Sequence, residues 1–182
     1  MNPQSGSPPF EQIALAQLDA AYNLAHWLLR DRAAAEDVVQ DAMLRALTYF
    51  HTFRGVNARA WVLQIVRNVA YEHLRKARGH NLVSIDSEAG EMMMADTEIG
   101  SNYDNGPDNP ERSLLRERER GELTAALQRL PVDLRECIVL RELEDLSYRE
   151  IAQVTGAPVG TVMSRLWRAR QALLKVLTAE GS

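Results

Sequence analysis

The sequence predicts an all-α protein built as two small helical domains joined by a flexible acidic linker. Three observations carry this. Apolar residues recur at helical spacing on both sides of residues 79–110. Inside that stretch the periodicity vanishes, and Gly, Asn, Asp and Ser cluster, as in GSNYDNGPDNP. Ala, Leu and Arg, all good helix formers, dominate the rest. A chain of 182 residues can hold one sizeable core or two domains of about 70 residues each. The break in periodicity favours two, and no internal repeat relates them. The expected organisation is a disordered N-terminus (1–10), a helical unit (11–78), the linker (79–110) and a second helical unit (111–179).

In the first unit, Ile13, Leu15, Leu18, Tyr22, Ala25, Leu28 and Leu29 form an apolar stripe that predicts a helix from about Gln12 to Leu29. Asp31 can cap a second helix, with Val38, Val39, Ala42, Met43, Ala46 and Leu47 on one face. FHTFRGVNA breaks that pattern, and Gly55 marks a turn. A third helix, Ala58 to about Arg78, buries Trp61, Val62, Ile65, Val66 and Val69, with Tyr71 and Leu74 also on that side. Beyond the linker, Asp108 or Asn109 with Pro110 opens a charged helix in which Leu114, Leu115, Leu123, Ala126, Leu127 and Leu130 are apolar. Pro131 begins a helix through Leu143. Ser147 with Glu150 three residues on is a capping box, Gly156 stands where a left-handed residue ends the helix, and Thr161 is read as the cap of the last helix.

Composition excludes several classes. No segment approaches the roughly 18 apolar residues of a membrane span. MNPQSGSPPF has neither the basic start nor the apolar core of a signal peptide, so a cytoplasmic protein is expected. Cys137 is the single cysteine, which excludes an internal disulfide framework or a cysteine-based zinc cluster. His26, His51, His73 and His80 lack metal-ligand spacing, and there is no Gly-rich phosphate loop. No catalytic residue, metal, cofactor or small-molecule substrate is expected.

A net charge of −4 argues against non-specific coating of nucleic acid, but its distribution is uneven. Residues 10–53 carry six acids against three arginines. Residues 54–78 reverse this, with Arg54, Arg59, Arg67, Arg75, Lys76 and Arg78 against Glu72 alone. Residues 81–110 have seven acids and no Lys or Arg. From Ile151 to Ala179 there is no acid, while Arg165, Arg168, Arg170 and Lys175 lie there. Two basic surfaces are thus separated by an acidic spacer.

The stretch LSYREIAQVTGAPVGTVMSRLWRARQALLK has the punctuation of a helix-turn-helix. Ile151 and Ala152 face inward, and Val159, Val162 and Leu166 close the wedge. Pro158, Gly160, Thr161, Met163, Ser164, Trp167, Arg168 and Arg170 are candidates for an outward, DNA-reading face, and one arginine, such as Arg165, can instead pack on the scaffold. A solvated helical hairpin is the plainer alternative, and the capping box, glycine and turn spacing weigh against it. In the first unit, FRGVNARAWVLQIVRNVAYEHLRKAR interleaves cations with Trp61, Tyr71 and His73, a mixture suited to unstacked bases. Trp61 taken alone reads as core; the row Arg67, Arg75, Lys76 and Arg78 reads as a phosphate track.

With these residues the chain resembles the extracytoplasmic-function (group IV) sigma factors, the dissociable promoter-recognition subunits of bacterial RNA polymerase. AEDVVQDAMLRAL and FRGVNARAWVLQIVRN are similar to their region 2, and LPVDLRECIVLRELEDLSYREIAQVTGAPVGTVMSRLWRARQAL to their region 4. The resemblance implies that Asp37, Val38, Gln40, Asp41 and Leu44 dock on the clamp helices of the polymerase largest subunit, with the flap as a further contact. It implies that the FRGVNAR loop and the helix after it hold the −10 element through Arg54, Asn57, Arg59, Trp61, Arg67, Asn68, Arg75, Lys76 and Arg78. Extruding a base costs a few kcal/mol, so trapping it stabilises the melted strand. Thr161, Met163, Ser164, Arg165, Trp167, Arg168 and Arg170 would meet the −35 element. Relatives often carry Arg or Lys where Met163 stands, and Met cannot make the bidentate guanine contact, so the −35 sequence does not transfer. The acidic linker would run along the RNA-exit path. The resemblance also implies an anti-sigma factor, often membrane-bound, that would hold the protein at the inner membrane face, with nucleoid association when active. A two-domain regulator acting without core polymerase is the alternative. A pure protein-interaction module leaves the basic helix unexplained.

Overall fold

The computed structural model describes residues 9–79 and 110–179, as helices and turns without a strand. In order they are α1 (Phe10–Leu29), α2 (Arg32–Tyr49), a 3-10 turn (Phe50–Thr52), α3 (Ala58–Ala77), α4 (Pro110–Arg129), α5 (Val132–Ile138), a π turn (Val139–Leu143), α6 (Tyr148–Thr155) and α7 (Val159–Ala179). The expected N-terminal disorder before residue 9 and the expected linker, including Met92 to Met94, lie outside the described residues. Among the described residues no helix is long and apolar enough to cross a membrane.

The first three helices form a bundle whose boundaries follow local chemistry. Arg30 takes a left-handed φ of 59° and its N–H donates to the His26 carbonyl at 2.8 Å, ending α1. The Asp31 carboxylate then accepts from Ala34 N–H at 2.7 Å and starts α2. At the start of α3, Asn57 is left-handed (φ 51°) and its side-chain oxygen accepts from Ala60 N–H at 3.0 Å. Asn visits that conformation at lower cost than most residues. Leu24, Leu28, Val38, Val62, Leu63 and Val66 fill the centre. Ala21, Ala25, Ala35, Ala46, Ala60 and Ala70 are also buried, and their small side chains let the helices approach closely. Phe53 lies 5.1 Å from Trp61, closing one end of the bundle.

Three leucines expected inside are outside: Leu15 is 70% exposed, Leu18 38% and Leu47 53%. Each is displaced from the buried stripe by the helical turn; Leu47, one residue beyond buried Ala46, sits about 100° round α2.

Among the described side chains of α4, Ala126 and Leu127 in its last turn are buried, as is Leu130 just beyond it, while Leu114 and Leu123 are exposed. The expected single helix from Pro131 to Leu143 is interrupted: after α5 the π turn takes over, with Glu144 N–H donating to the Val139 carbonyl at 3.2 Å. The extra residue rotates the next stretch of chain and carries Glu144 inward, where it is buried. The capping box of α6 is present, with Glu150 N–H on Ser147 Oγ at 3.2 Å and Ser147 N–H on Glu150 Oε2 at 2.7 Å. Gly156 ends α6 at φ 68°. Thr161 is not a cap: α7 begins two residues earlier, because Pro158 carbonyl already accepts the first bond, from Val162 N–H at 3.1 Å.

The two units pack together, α3 on α6 and α1 on α5 and the π turn, and their buried side chains form one contiguous cluster. Arg135 helps to join them. Its guanidinium donates to the carbonyls of Gln128 at 2.9 Å and Leu130 at 3.1 Å, and reaches the Leu28 carbonyl at 3.5 Å. These carbonyls terminate α4 and α1, where a cation complements the helix dipole. Burial nevertheless pulls the Arg135 pKa down to about 10.

Candidate nucleic-acid interface

Three surfaces carry the residues singled out by the sequence. On α2, Asp37, Gln40, Asp41 and Leu44 are exposed, Leu44 by 60%, whereas Val38 points into the bundle and is 2% exposed. Asp37 and Gln40 border an open groove of about 570 Å³ between α1 and α2, together with Leu18, Tyr22, Val39 and Met43. This face is acidic and partly apolar, which suits a protein rather than DNA. Leu15, Leu18 and Leu47 were missed as surface residues, since periodicity marks an apolar face without saying where its buried part ends.

The second surface is the loop before α3 and the helix itself. Arg54, Asn68, Arg75, Lys76 and Arg78 are exposed. Trp61 is half-buried among Phe50 and Phe53. Asn57, Arg59 and Arg67 are brought against carboxylates of the second unit. Arg67 donates through Nε and Nη2 to the two oxygens of Glu136 at 2.7 and 3.0 Å, and its guanidinium lies 4.2 Å over the Tyr71 ring. Glu136 is fully buried, and burial pushes its carboxyl above the ordinary value while the Arg67 hydrogen bonds oppose that shift. For Arg67, burial acts to lower the pKa, but the hydrogen bonds and charge of Glu136 win and raise it. Arg59 Nη2 donates to Glu144 Oε2 at 2.6 Å and to the Glu144 carbonyl at 2.8 Å, and Asn23 donates to Glu144 Oε1 at 3.1 Å. The Asn57 amide donates to Glu150 Oε1 at 2.7 Å, so the cap of α3 is tied to the cap of α6. Glu150 is held below the ordinary carboxylate range, first by the Ser147 backbone N–H and then by its hydroxyl.

The third surface is the outward side of α7. Met163 and Trp167 are 53% and 63% exposed, and Ser164 and Arg168 are exposed beside them. Thr161 is half-buried. Arg165 turns back, with Nε 3.5 Å from Asp133 and Nη1 3.8 Å from Glu136, so it packs on the scaffold. Arg170 pairs with Glu142 at 2.8 Å but keeps half of its side chain exposed. Val162, Leu166 and Ala169, on the opposite side of α7, are buried, which fixes this outward row.

Comparison with known proteins matches a family region to each helical unit. Residues 15–80 match Sigma-70 region 2, and residues 120–173 match Sigma-70, region 4. The chain is 36% identical over 169 residues to the RNA polymerase sigma-H factor of Pseudomonas aeruginosa, covering 92% of this chain and 86% of that protein. It is 39% identical over 143 residues to the ECF RNA polymerase sigma-E factor of Escherichia coli K12, covering 75% of this chain and 70% of that protein. The chain belongs to the extracytoplasmic-function sigma factors. Its fold is similar to that of the Bartonella quintana sigma factor RpoE in complex with the anti-sigma factor NepR, with a TM-score of 0.70 and 29% identity over 93% of this chain and 96% of that one. CnrH, in complex with the cytosolic domain of CnrY, shares the fold at a TM-score of 0.61 and 24% identity, over 93% of this chain and 88% of that one.

As a sigma factor the protein is a transcription initiation factor, and the matched regions coincide with its two helical units. Sequence reasoning gave Glu136 and Glu144 no role and placed Glu150 only in the α6 capping box, not against Asn57. Glu136 lies in the run LRECIVL, where one acid among apolar residues at buried positions is the only hint. Cys137 beside it is buried, and burial pushes its thiol up to about 12, which makes it inert.

Proposed function

We propose that this sigma factor binds core RNA polymerase through the exposed face of α2, holds the melted −10 strand on the loop before α3 and on α3, and reads the −35 duplex with α7. The observation that carries the reading is the row Met163, Ser164, Trp167 and Arg168, exposed on a helix whose other side is locked into the core behind a capped, glycine-turned α6. A helix presented in this way enters the major groove with its first half, and Arg168 supplies a donor fork for a phosphate or a guanine. Arg54, Asn68, Arg75, Lys76 and Arg78 supply the −10 side. Asp37, Gln40, Asp41 and Leu44 offer acid and apolar surface to polymerase. The protein works in the cytoplasm, and an anti-sigma factor, membrane-bound in the simplest arrangement, covers these surfaces until a signal releases it. The complex of the 29%-identical RpoE with NepR supports such a partner.

Promoter binding by the purified protein, with and without core polymerase, tests this against a regulator that works alone. Tight sequence-specific retardation is expected only with polymerase. Arg168→Ala should lose promoters that depend on the −35 element, and Asn68→Ala should impair −10 recognition or melting. Specific binding of a palindromic duplex by the isolated protein would replace this reading.

A further inference from the structure

We propose that Met163 and Trp167 are thymine readers: packed against C5-methyl groups in the major groove, they give the −35 element a thymine requirement. This rests on the reading of α7 as the −35 helix. Arg165 is held by Asp133 and Glu136, and Arg170 is paired with Glu142, so both are already engaged. Arg168 makes no ion pair among the described residues and is the arginine left to bridge a guanine. Ser164 donates its hydroxyl to the Thr161 carbonyl at 3.0 Å, which leaves its oxygen as an acceptor for a base amino group. The groove-entering half of α7 is therefore poor in donors. It holds two large apolar side chains instead, Met163 and Trp167, each more than half exposed.

Their placement fits a row of base edges. At about 100° per residue, Met163 and Trp167 lie about 40° apart around the helix, and Arg168 lies about 140° from Met163. Buried Val162, Leu166 and Ala169 take up the opposite side, so α7 shows the duplex one apolar edge and one cationic edge. Along the axis the two apolar side chains are about 6 Å apart, close to two base-pair steps of about 3.4 Å. In the major groove the base pairs differ in donors and acceptors, but only thymine presents an apolar group, its methyl. Covering one such group with a thioether or an indole removes apolar surface from water and is worth about 4-fold in affinity. DNA, rather than a second copy of α7, is the occupant. No Asp or Glu occurs from Ile151 to Ala179, and Arg168 and Lys175 line the other edge, so two such helices repel each other while a polyanion is attracted.

The test uses the full protein with core polymerase on duplexes whose −35 region is randomised, followed by single thymine-to-deoxyuridine replacements in a selected promoter. Deoxyuridine keeps the base-pair hydrogen bonds and lacks only the methyl. The expected result is a selected −35 element that contains thymine, with a loss of about 4-fold in promoter affinity when a covered thymine becomes deoxyuridine. Thymines in the spacer between the two elements should tolerate the same replacement. Met163→Ala and Trp167→Ala should each abolish the discrimination at the methyl that side chain covers, and Met163→Arg should bring guanine into the selected element in place of that thymine. Both positions are on the surface, and circular dichroism matching the parent checks that the variants fold. A −35 element that is selected but indifferent to every methyl, or a methyl preference that survives both alanine variants, overturns the proposal and leaves the −35 reading standing. The apolar edge of Met163, Trp167 and exposed Leu174 would then belong to a protein partner. The absence of any base preference in the randomised region overturns both, since α7 is then not the reader.

Discussion

Replacing Arg67 with alanine strands a carboxylate inside the protein. Glu136 has no exposed side-chain surface, and the Arg67 side chain is only 18% exposed, so the pair belongs to the buried class. Removing one partner of such a pair costs about 3–5 kcal/mol, against about 0–1 kcal/mol for a pair in water. Arg165 remains 3.8 Å from Glu136 and offsets part of the loss, which sets the expectation near the lower end, about 3 kcal/mol. Replacing both partners, Arg67→Met with Glu136→Leu, removes the stranded charge and should return stability to within about 1 kcal/mol of the parent. Urea denaturation at neutral pH followed by circular dichroism measures both, with scattering on the same samples. Scattering matters because parting the two units lets water reach Glu136, converting part of the stability loss into expansion. An Arg67→Ala protein that unfolds within about 0.5 kcal/mol of the parent and keeps its dimensions would refute the reasoning, since a buried unpaired carboxylate cannot be that cheap.

Other positions carry their own expected outcomes. Gly156→Ala meets nothing within 4 Å of the new Cβ, so its cost is the left-handed backbone alone, about 1–2 kcal/mol, read as a lower thermal midpoint; Gly156→Asn should lose less. His26 has its pKa lowered, chiefly by burial and also by Arg32, with Asp31 opposing. The unfolded chain therefore takes up a proton that the folded one resists. Stability is full above the ordinary histidine value of about 6.5 and declines as pH falls below it toward the depressed folded value, and His26→Gln should flatten that part of a pH–stability curve. A decline that is the same in His26→Gln would assign it to other groups. On the functional side, the Arg168→Ala loss should be confined to −35-dependent promoters, and a uniform loss would point to a phosphate contact instead.

The helices and most of their punctuation were legible because their causes are local. Asp31, Ser147 with Glu150, and Gly156 act on backbone groups within a few residues, so short sequence windows reveal them; Asn57 caps α3 just as locally but was not read as a cap. Thr161 misleads because a side chain able to cap need not be one that does, and here the Pro158 carbonyl makes the first bond. The π turn was invisible: LRECIVLREL carries ordinary helical periodicity, and the extra residue depends on the partners Glu144 meets on α3 and α1. Arg59, Arg67, Asn57 and their acids were each legible as charged or polar residues on a face. Their pairing was not, because it joins units on either side of a long break in periodicity and nothing local sets that register. The exposed leucines of α1 and α2 failed for a related reason, since periodicity finds an apolar face but cannot say whether its edge meets the bundle or a partner.

Run-off transcription with purified core polymerase across a promoter library tests the central claim most directly. The account predicts that this protein confers initiation on a subset of promoters sharing one −10 and one −35 sequence, none of which core polymerase alone transcribes. Transcripts no more abundant than with core polymerase alone, at every promoter and with a protein shown to be folded, would contradict it.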